Sequence, residues 1–408
     1  MIRKFFGSLI GETELKRQME EAQKTVAQSE NEEKQKQQRE QAERRRLQNL
    51  EHEKNGELLP GERLTLLSPM DEKRSLHCGD FFALEAHTSW GGSKSKYSKN
   101  DDSVFVARSE AGTEGEPSRE KIFFGVIDGA GGSNYGQETS IILADRLAHY
   151  FSHRKREEIQ PKSATLESLS QKNTVKKQEL TLLGGGLAMT QDNISNDSLE
   201  DILHKGFESA DDSSWSRFVT QGYGCAVVCG VDREKKEILL ANIGDTRGIL
   251  LVERENGEVE MVLRTELQNE AGMALRNSRE AGKEYFFSHW NPKRKLTHLI
   301  GDTMGYMEEP TDDVQTYYAK AGEKVTVVLA SDGGLGDRMS DYEVFEAYKR
   351  SGGDVKKMEK ELFELALCRN GAEEFFVSFG PKPEDFILYN NEESSDNITI
   401  SVGQFKFV

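Results

Sequence analysis

From residue 81 onward one texture recurs, short runs rich in β-branched and aromatic residues: FFALEAH (81–87), SVFVAR (103–108), KIFFGVID (121–128), CAVVCGV (225–231), EILLANIG (237–244), GILLVER (248–254), VEMVLR (259–264), VTVVLAS (325–331) and ITISVGQFKF (398–407). Runs of this length and composition read as strands. Most follow one another directly, and helical texture is confined to 137–152, 199–209 and 341–369. A parallel sheet needs a crossover helix after nearly every strand, so this order predicts an α+β layered domain instead. Residues 154–197, rich in Lys, Ser, Gln, Asn and Gly, interrupt the pattern as an inserted loop.

The first 60 residues are different. Residues 12–56 are a tract of Glu, Gln, Lys and Arg whose few apolar side chains sustain no heptad, which predicts a charged helical or disordered extension over 1–60. Such a tract is a candidate for partner docking or self-association. The texture change places the folded domain at 78–408.

Charge and cysteine content narrow the function classes. With 54 basic against 71 acidic side chains the net charge is -17, a field that repels nucleic-acid phosphates and anionic lipid. Nucleic acid and membrane are therefore not expected partners. No apolar run has the length of a membrane helix, and Met1–Ile10 lacks a signal-peptide core. Four cysteines in 408 residues make no disulfide framework, so a reducing cytoplasmic setting is expected. Cys225 and Cys229, four apart on one strand face, read as small core residues.

The chemistry lies at strand ends. Asp128 in VIDGAGG, Asp245 in NIGDTR and Asp332 in ASDGG each close a strand beside glycine, while Asp102 in KNDDSVF and Asp396 in DNITISV each open one. Any single Asp-Gly is commonly no more than a turn. Were they to converge, ionised carboxylates at 4 Å would repel by about 4 kcal/mol per pair at an effective dielectric of 20, and hard cations such as magnesium or manganese would be needed to hold them together. No Cys-x5-Arg loop and no Gly-x-Ser-x-Gly elbow supplies a competing nucleophile.

In order, these segments resemble the metal-dependent protein Ser/Thr phosphatases of the protein phosphatase 2C (PPM) family. KNDD matches the family's Asn-Glu-Asp element, FFGVIDGAGG its Asp-Gly-x-Gly-Gly turn, and GYGCAVVCGV its small-residue strand. ANIGDTRGILL matches its Gly-Asp-Ser-Arg hairpin, LTHLIGD its Leu-Thr-Arg-x-x-Gly-Asp element, LASDGG its Ser-Asp-Gly motif and DNITISV its closing strand. The resemblance implies a four-layer αββα sandwich of two antiparallel sheets flanked by helices. It also implies hydrolysis of phosphoserine and phosphothreonine in proteins by a metal-activated water at a two-metal magnesium or manganese site, without a phospho-enzyme. On that resemblance Asp102, Asp128, Asp332 and Asp396 are metal ligands, Gly129 offers its backbone carbonyl, and Asp245 and Arg247 support the site from behind.

Two departures from the family pattern bear on substrate and metals. The position of its phosphate-binding Arg is Tyr97, with Lys96 and Lys99 adjacent as candidates for the phosphate. Its Thr-x-Asp-His context for a third metal is replaced by RTELQNEAG, where Glu266 is the candidate ligand. The altered phosphate position leaves a second expectation open, a catalytically weak member that binds phosphoproteins or docks partners through 12–56.

Overall fold

The computed structural model describes residues 56–58, 62–66, 71–91, 100–109, 120–129, 136–152, 198–218, 224–266, 268, 314–335, 338–372, 374–390 and 396–407. The charged tract, the 154–197 insertion, and Lys96, Tyr97 and Lys99 lie outside the described residues.

Fourteen strands and four α-helices make up the described part of the unit Leu58–Val408. The strands are β1 (Arg63–Leu66), β2 (Asp71–Cys78), β3 (Phe82–Ser89), β4 (Ser103–Arg108), β5 (Lys121–Gly129), β6 (Gly224–Asp232), β7 (Glu237–Ile243), β8 (Arg247–Glu253), β9 (Val259–Arg264), β10 (Gln315–Tyr318), β11 (Lys324–Ala330), β12 (Glu374–Ser378), β13 (Phe386–Asn390) and β14 (Ile398–Lys406). The helices are α1 (Gly136–Ser152), α2 (Leu199–Phe218), α3 (Asp341–Ser351) and α4 (Val355–Arg369). One sheet has the order β1-β4-β5-β6-β7-β10, a second β2-β3-β14-β11-β8-β9, and β12 and β13 form a separate hairpin. All pairings are antiparallel.

Strand periodicity explains the layers. Alternate side chains face opposite sides of a strand. In β4 and β5, Val104, Val106, Ile122, Phe124 and Val126 join Val325, Val327, Leu329 and Phe405 of the other sheet in a core between the sheets. Their neighbours Phe105, Ala107, Phe123 and Ile127 face outward, against Leu143, Leu147 and Phe151 of α1 and Ile202 and Leu203 of α2. On the far side Ile249, Leu251, Val328 and Ile400 meet Val344, Met358 and Leu362 of α3 and α4. Central strands are thus covered on both faces, which is why they read as unbroken apolar runs. Cys225 and Cys229 are buried among them. Helix, sheet, sheet, helix is the four-layer sandwich that the resemblance implied.

Three features differ from the sequence reading. The sheets begin before residue 78, because β1 and β2 pair with β4 and β3 as edge strands. DEKRSLHC is too polar to read as a strand, and an edge position tolerates that polarity. The helical texture of 341–369 is two helices, separated where Gly352 and Gly353 adopt φ of 65° and 71° and Asp354 caps α4 by accepting from Lys357 N at 3.0 Å. The hairpin β12–β13 was not anticipated at all.

That hairpin is fastened to the domain by a buried ion pair. Arg369, the last residue of α4, donates to Glu343 Oε1 and Oε2 at 2.6 and 2.8 Å and to the Phe376 carbonyl. Glu343 Oε1 also accepts from Ser378 N at 2.9 Å. Both carboxylate oxygens of Glu343 and both terminal nitrogens of Arg369 thus have partners, the condition under which a buried pair is tolerated.

Candidate active site

The expected ligands sit where strands of both sheets end together. In the first sheet Ser103 opens β4 opposite Ile127, one residue before Asp128, and Ala226 near the start of β6 pairs with Ile243 at the end of β7. In the second, Ala330 at the end of β11 pairs with both Ile400 of β14 and Arg247 at the start of β8. Asp128, near the end of β5, and Asp102, Asp245, Asp332 and Asp396, in the segments next to strand ends, therefore all fall at one end of the sandwich.

Hydrogen bonds stitch those segments to one another. Asp101 N donates to Asn397 Oδ1 at 2.9 Å, and Gly129 N donates to the Asp101 carbonyl at 3.2 Å. Asn100 Nδ2 donates to Thr88 Oγ1 at 2.7 Å, and that hydroxyl lies 2.7 Å from Thr399 Oγ1. Thr399 N donates to Ser331 Oγ at 3.1 Å. The glycines beside the aspartates are required by close approach: a Cβ on Gly129 would stand 2.2 Å from the Gly136 carbonyl oxygen, and one on Gly333 1.9 Å from that of Asn397.

The electrostatics follow from that crowding. Burial raises the Asp102 carboxyl well above its ordinary value; the charges of Asp396 and Asp332 add to the rise, while hydrogen bonds from Ser331 and Thr399 oppose it. Asp128 is likewise pushed well up, by burial first and then by Asp332, Asp102, Asp245 and Asp396. One carboxylate thus feels all four of its acidic neighbours. The Cys225 thiol beneath them is raised by burial and by Asp245 and Asp128.

The donor set suits a hard divalent cation. It consists of carboxylate and carbonyl oxygens, and among the described residues the buried Asp102 Oδ2 has no hydrogen-bond partner. Among the described residues no group of three His, Cys, Asp or Glu side chains is arranged to hold an ion as it stands. A bound cation would offset the repulsion among these carboxylates.

Sequence comparison identifies the architecture. A family model described as protein phosphatase 2C matches residues 99–362, more than half of the chain. The chain belongs to the protein phosphatase 2C family. Its enzyme class is accordingly that of the protein serine/threonine phosphatases. No curated protein matches significantly. Among solved structures it is similar to the serine/threonine phosphatase PstP/Ppp of Mycobacterium tuberculosis, at 16% identity over 80% of this chain and 99% of that one, with a TM-score of 0.47. The S. agalactiae serine/threonine phosphatase is similar at 14% identity, over 79% and 99%, with a TM-score of 0.46.

The residues expected to support the site take distinct places. Asp245 is buried close enough to Asp128 to raise its carboxyl, whereas Arg247 turns toward the base of α3, donating to the Met339 carbonyl at 3.0 Å and to Asp341. Arg264 also reaches Asp341. Glu266, the candidate for a third metal, has its carboxylate 3.8 Å from Arg264 and its carbonyl bonded to Asn242 Nδ2 at 3.1 Å. Asn242 and Gln268 together cage the Asp245 turn: Thr246 Oγ1 donates to Asn242 Oδ1 at 2.7 Å, and Gly244 N donates to Gln268 Oε1 at 2.8 Å.

Neutral amides and hydroxyls are what sequence reasoning missed: Asn242, Gln268, Asn370, Asn397, Thr88 and Thr399. Their adjacency to the acidic motifs was the available signal for Asn397, which follows Asp396 directly, and for Thr399, three residues after it. Asn370 carried no such mark.

Proposed function

We propose that this phosphatase hydrolyses phosphoserine and phosphothreonine in proteins at a two-metal magnesium or manganese site held by Asp102, Asp128, Asp332, Asp396 and the Gly129 carbonyl. What supports this reading is the gathering of four strand-end aspartates, Asp102, Asp128, Asp332 and Asp396, whose charges act on one another at one end of the sandwich. Divalent ions bound there would neutralise the cluster, acidify a water to serve as nucleophile and offset charge on the phosphoryl group.

The chain's own contribution is position. Asp128 feels the charge of every other member, which suits it to bridge two ions. Asp102 and Asp396 are fixed through the Asp101–Asn397 and Thr88–Thr399 contacts, so their oxygens keep their places as substrate comes and goes. Asp245 stands behind Asp128 and adds to the negative field that favours cations. Lys96 and Lys99 are assigned to the phosphate on sequence alone, and Glu266 to a third ion. Phosphoprotein is the substrate class, and residues 12–56 are the segment suited to partner docking.

Phosphate release from a phosphothreonine peptide, measured with manganese and again with EDTA, tests the reading. Hydrolysis should depend on the metal. Metal-independent release, or none with either ion, overturns it.

A further inference from the structure

Between the end of α4 and the start of β14 the chain leaves the domain to make the β12–β13 hairpin, and returns at Asp396. One side chain closes the base of that excursion. Asn370, completely buried, accepts from Asp396 N at 2.9 Å through Oδ1 and donates through Nδ2 to the Asp396 carbonyl at 3.2 Å. The same Nδ2 donates to the carbonyl of Gly91, two residues past the end of β3, at 3.1 Å. Both main-chain polar groups of Asp396 are thus held by a single amide.

The orientation of that amide is fixed from behind. Arg338 Nη1 donates to Asn370 Oδ1. Arginine can only donate, as can Asp396 N, so a flipped amide would face two donors with its own NH2. Arg338 is 1% exposed, and among the described residues its Nε and Nη2 have no hydrogen-bond partner. Burying a guanidinium with so few partners is costly. Among the described residues its side chain has one hydrogen bond, to the amide that grips Asp396.

We infer that Asn370, oriented by Arg338, is a positioning residue that holds Asp396 in place to receive a divalent cation. The inference rests on the proposed metal site. It adds that a neutral side chain at the end of α4, outside the motifs that carry the ligands, sets the affinity of that site. Removing an interaction that orients a ligand typically weakens metal binding about 10- to 100-fold.

The test is a manganese titration of the metal-stripped full chain, read as free manganese by electron paramagnetic resonance. It is paired with the thermal midpoint of the same stripped samples and with peptide hydrolysis at rising manganese. Asn370→Ala should weaken binding at least about tenfold. Asn370→Asp keeps both accepted bonds and pairs the Arg338 charge but loses the donated ones; it should fold and fall between Asn370→Ala and the parent. Turnover of both should recover at saturating manganese with an unchanged KM for peptide, because the residue acts through the metal. If Asn370→Ala does not fold, Asn370→Asp decides alone. Manganese affinity within twofold of the parent in the folded variants overturns the inference, as does a lowered midpoint with unaltered affinity. A parent that binds no manganese overturns the metal site as well, whereas a parent that binds it alongside variants that match it overturns only the role of Asn370.

Discussion

The backbone N–H of Asp101 and the side-chain Oδ1 of Asn397, 296 positions apart in sequence, are joined at 2.9 Å, and this bond ties the turn before β4 in one sheet to the turn before β14 in the other. Asp102 and Asp396 are their immediate neighbours, so the spacing between two proposed ligands is set by a neutral amide. Asn397→Ala should leave a buried N–H without its acceptor, at a cost of about 1–3 kcal/mol. Urea denaturation with EDTA present measures that cost, and Asn397→Asp, which keeps the acceptor, should recover part of it.

Acidic crowding predicts an inverted pH response without metal. Burial and neighbouring carboxylates raise Asp102 and Asp128 above 3.8 in the folded state. The folded protein therefore holds those protons longer than the unfolded chain. Their contribution to stability is full below pH 3.8 and is lost as pH rises through the raised values. In EDTA the unfolding free energy from these groups should decline across that window, and Asp128→Asn should flatten the decline. Manganese should raise the thermal midpoint most at the upper end, where both groups are ionised.

Replacing Asp128 or Asp332 separates chemistry from folding. Asp128→Asn and Asp332→Asn each remove one anionic ligand from a set that repels itself, so the metal-free fold should be unharmed while peptide hydrolysis falls to background. Calorimetry of the stripped proteins and phosphate release at saturating manganese check the two halves. Unchanged turnover in either variant would remove that residue from the ligand set.

How much of this was readable beforehand depended on whether a residue's surroundings are local in sequence. Strands such as β5 and β6 announce themselves because both faces are buried, leaving no polar position to obscure the run. The aspartates were legible because each sits beside a glycine or opens an apolar strand. Edge strands were not: Asp71–Cys78 owes its conformation to pairing with β3, and nothing within DEKRSLHC encodes that partner. Nor was the Asn370 clamp, whose partners Gly91, Arg338 and Asp396 are brought to it by α3, α4 and the second sheet.

Leu58 illustrates the same point at the domain's beginning. It follows the 12–56 tract and falls within the expected 1–60 extension, yet it is 3% exposed in the core between the sheets. Its N–H donates to the His77 carbonyl at 2.9 Å and its carbonyl accepts from Arg108 Nη1 at 2.6 Å. Leu58→Ala should destabilise by about 2–4 kcal/mol. Deleting residues 1–57 should leave the thermal midpoint nearly unchanged, whereas deleting 1–61 should lower it.

Gly333 offers the sharpest steric test of the site. It follows Asp332, and an added Cβ would lie 1.9 Å from the Asn397 carbonyl oxygen and 3.0 Å from Asp396 Cβ. Those atoms belong to the backbone turn that presents one proposed ligand, so the only relief is to move it away from Asp332. Gly333→Ala should therefore cost about 1–3 kcal/mol of stability, as overpacking commonly does. It should also weaken manganese binding, because two ligands shift relative to one another. Gly257→Ala is the control: its φ of 78° makes a side chain strained there, yet nothing lies within 4 Å of the new Cβ. That variant should lose about 1 kcal/mol and keep full manganese affinity. Equal manganese affinity in the two variants would mean that Asp332 and Asp396, although their turns touch, do not share an ion.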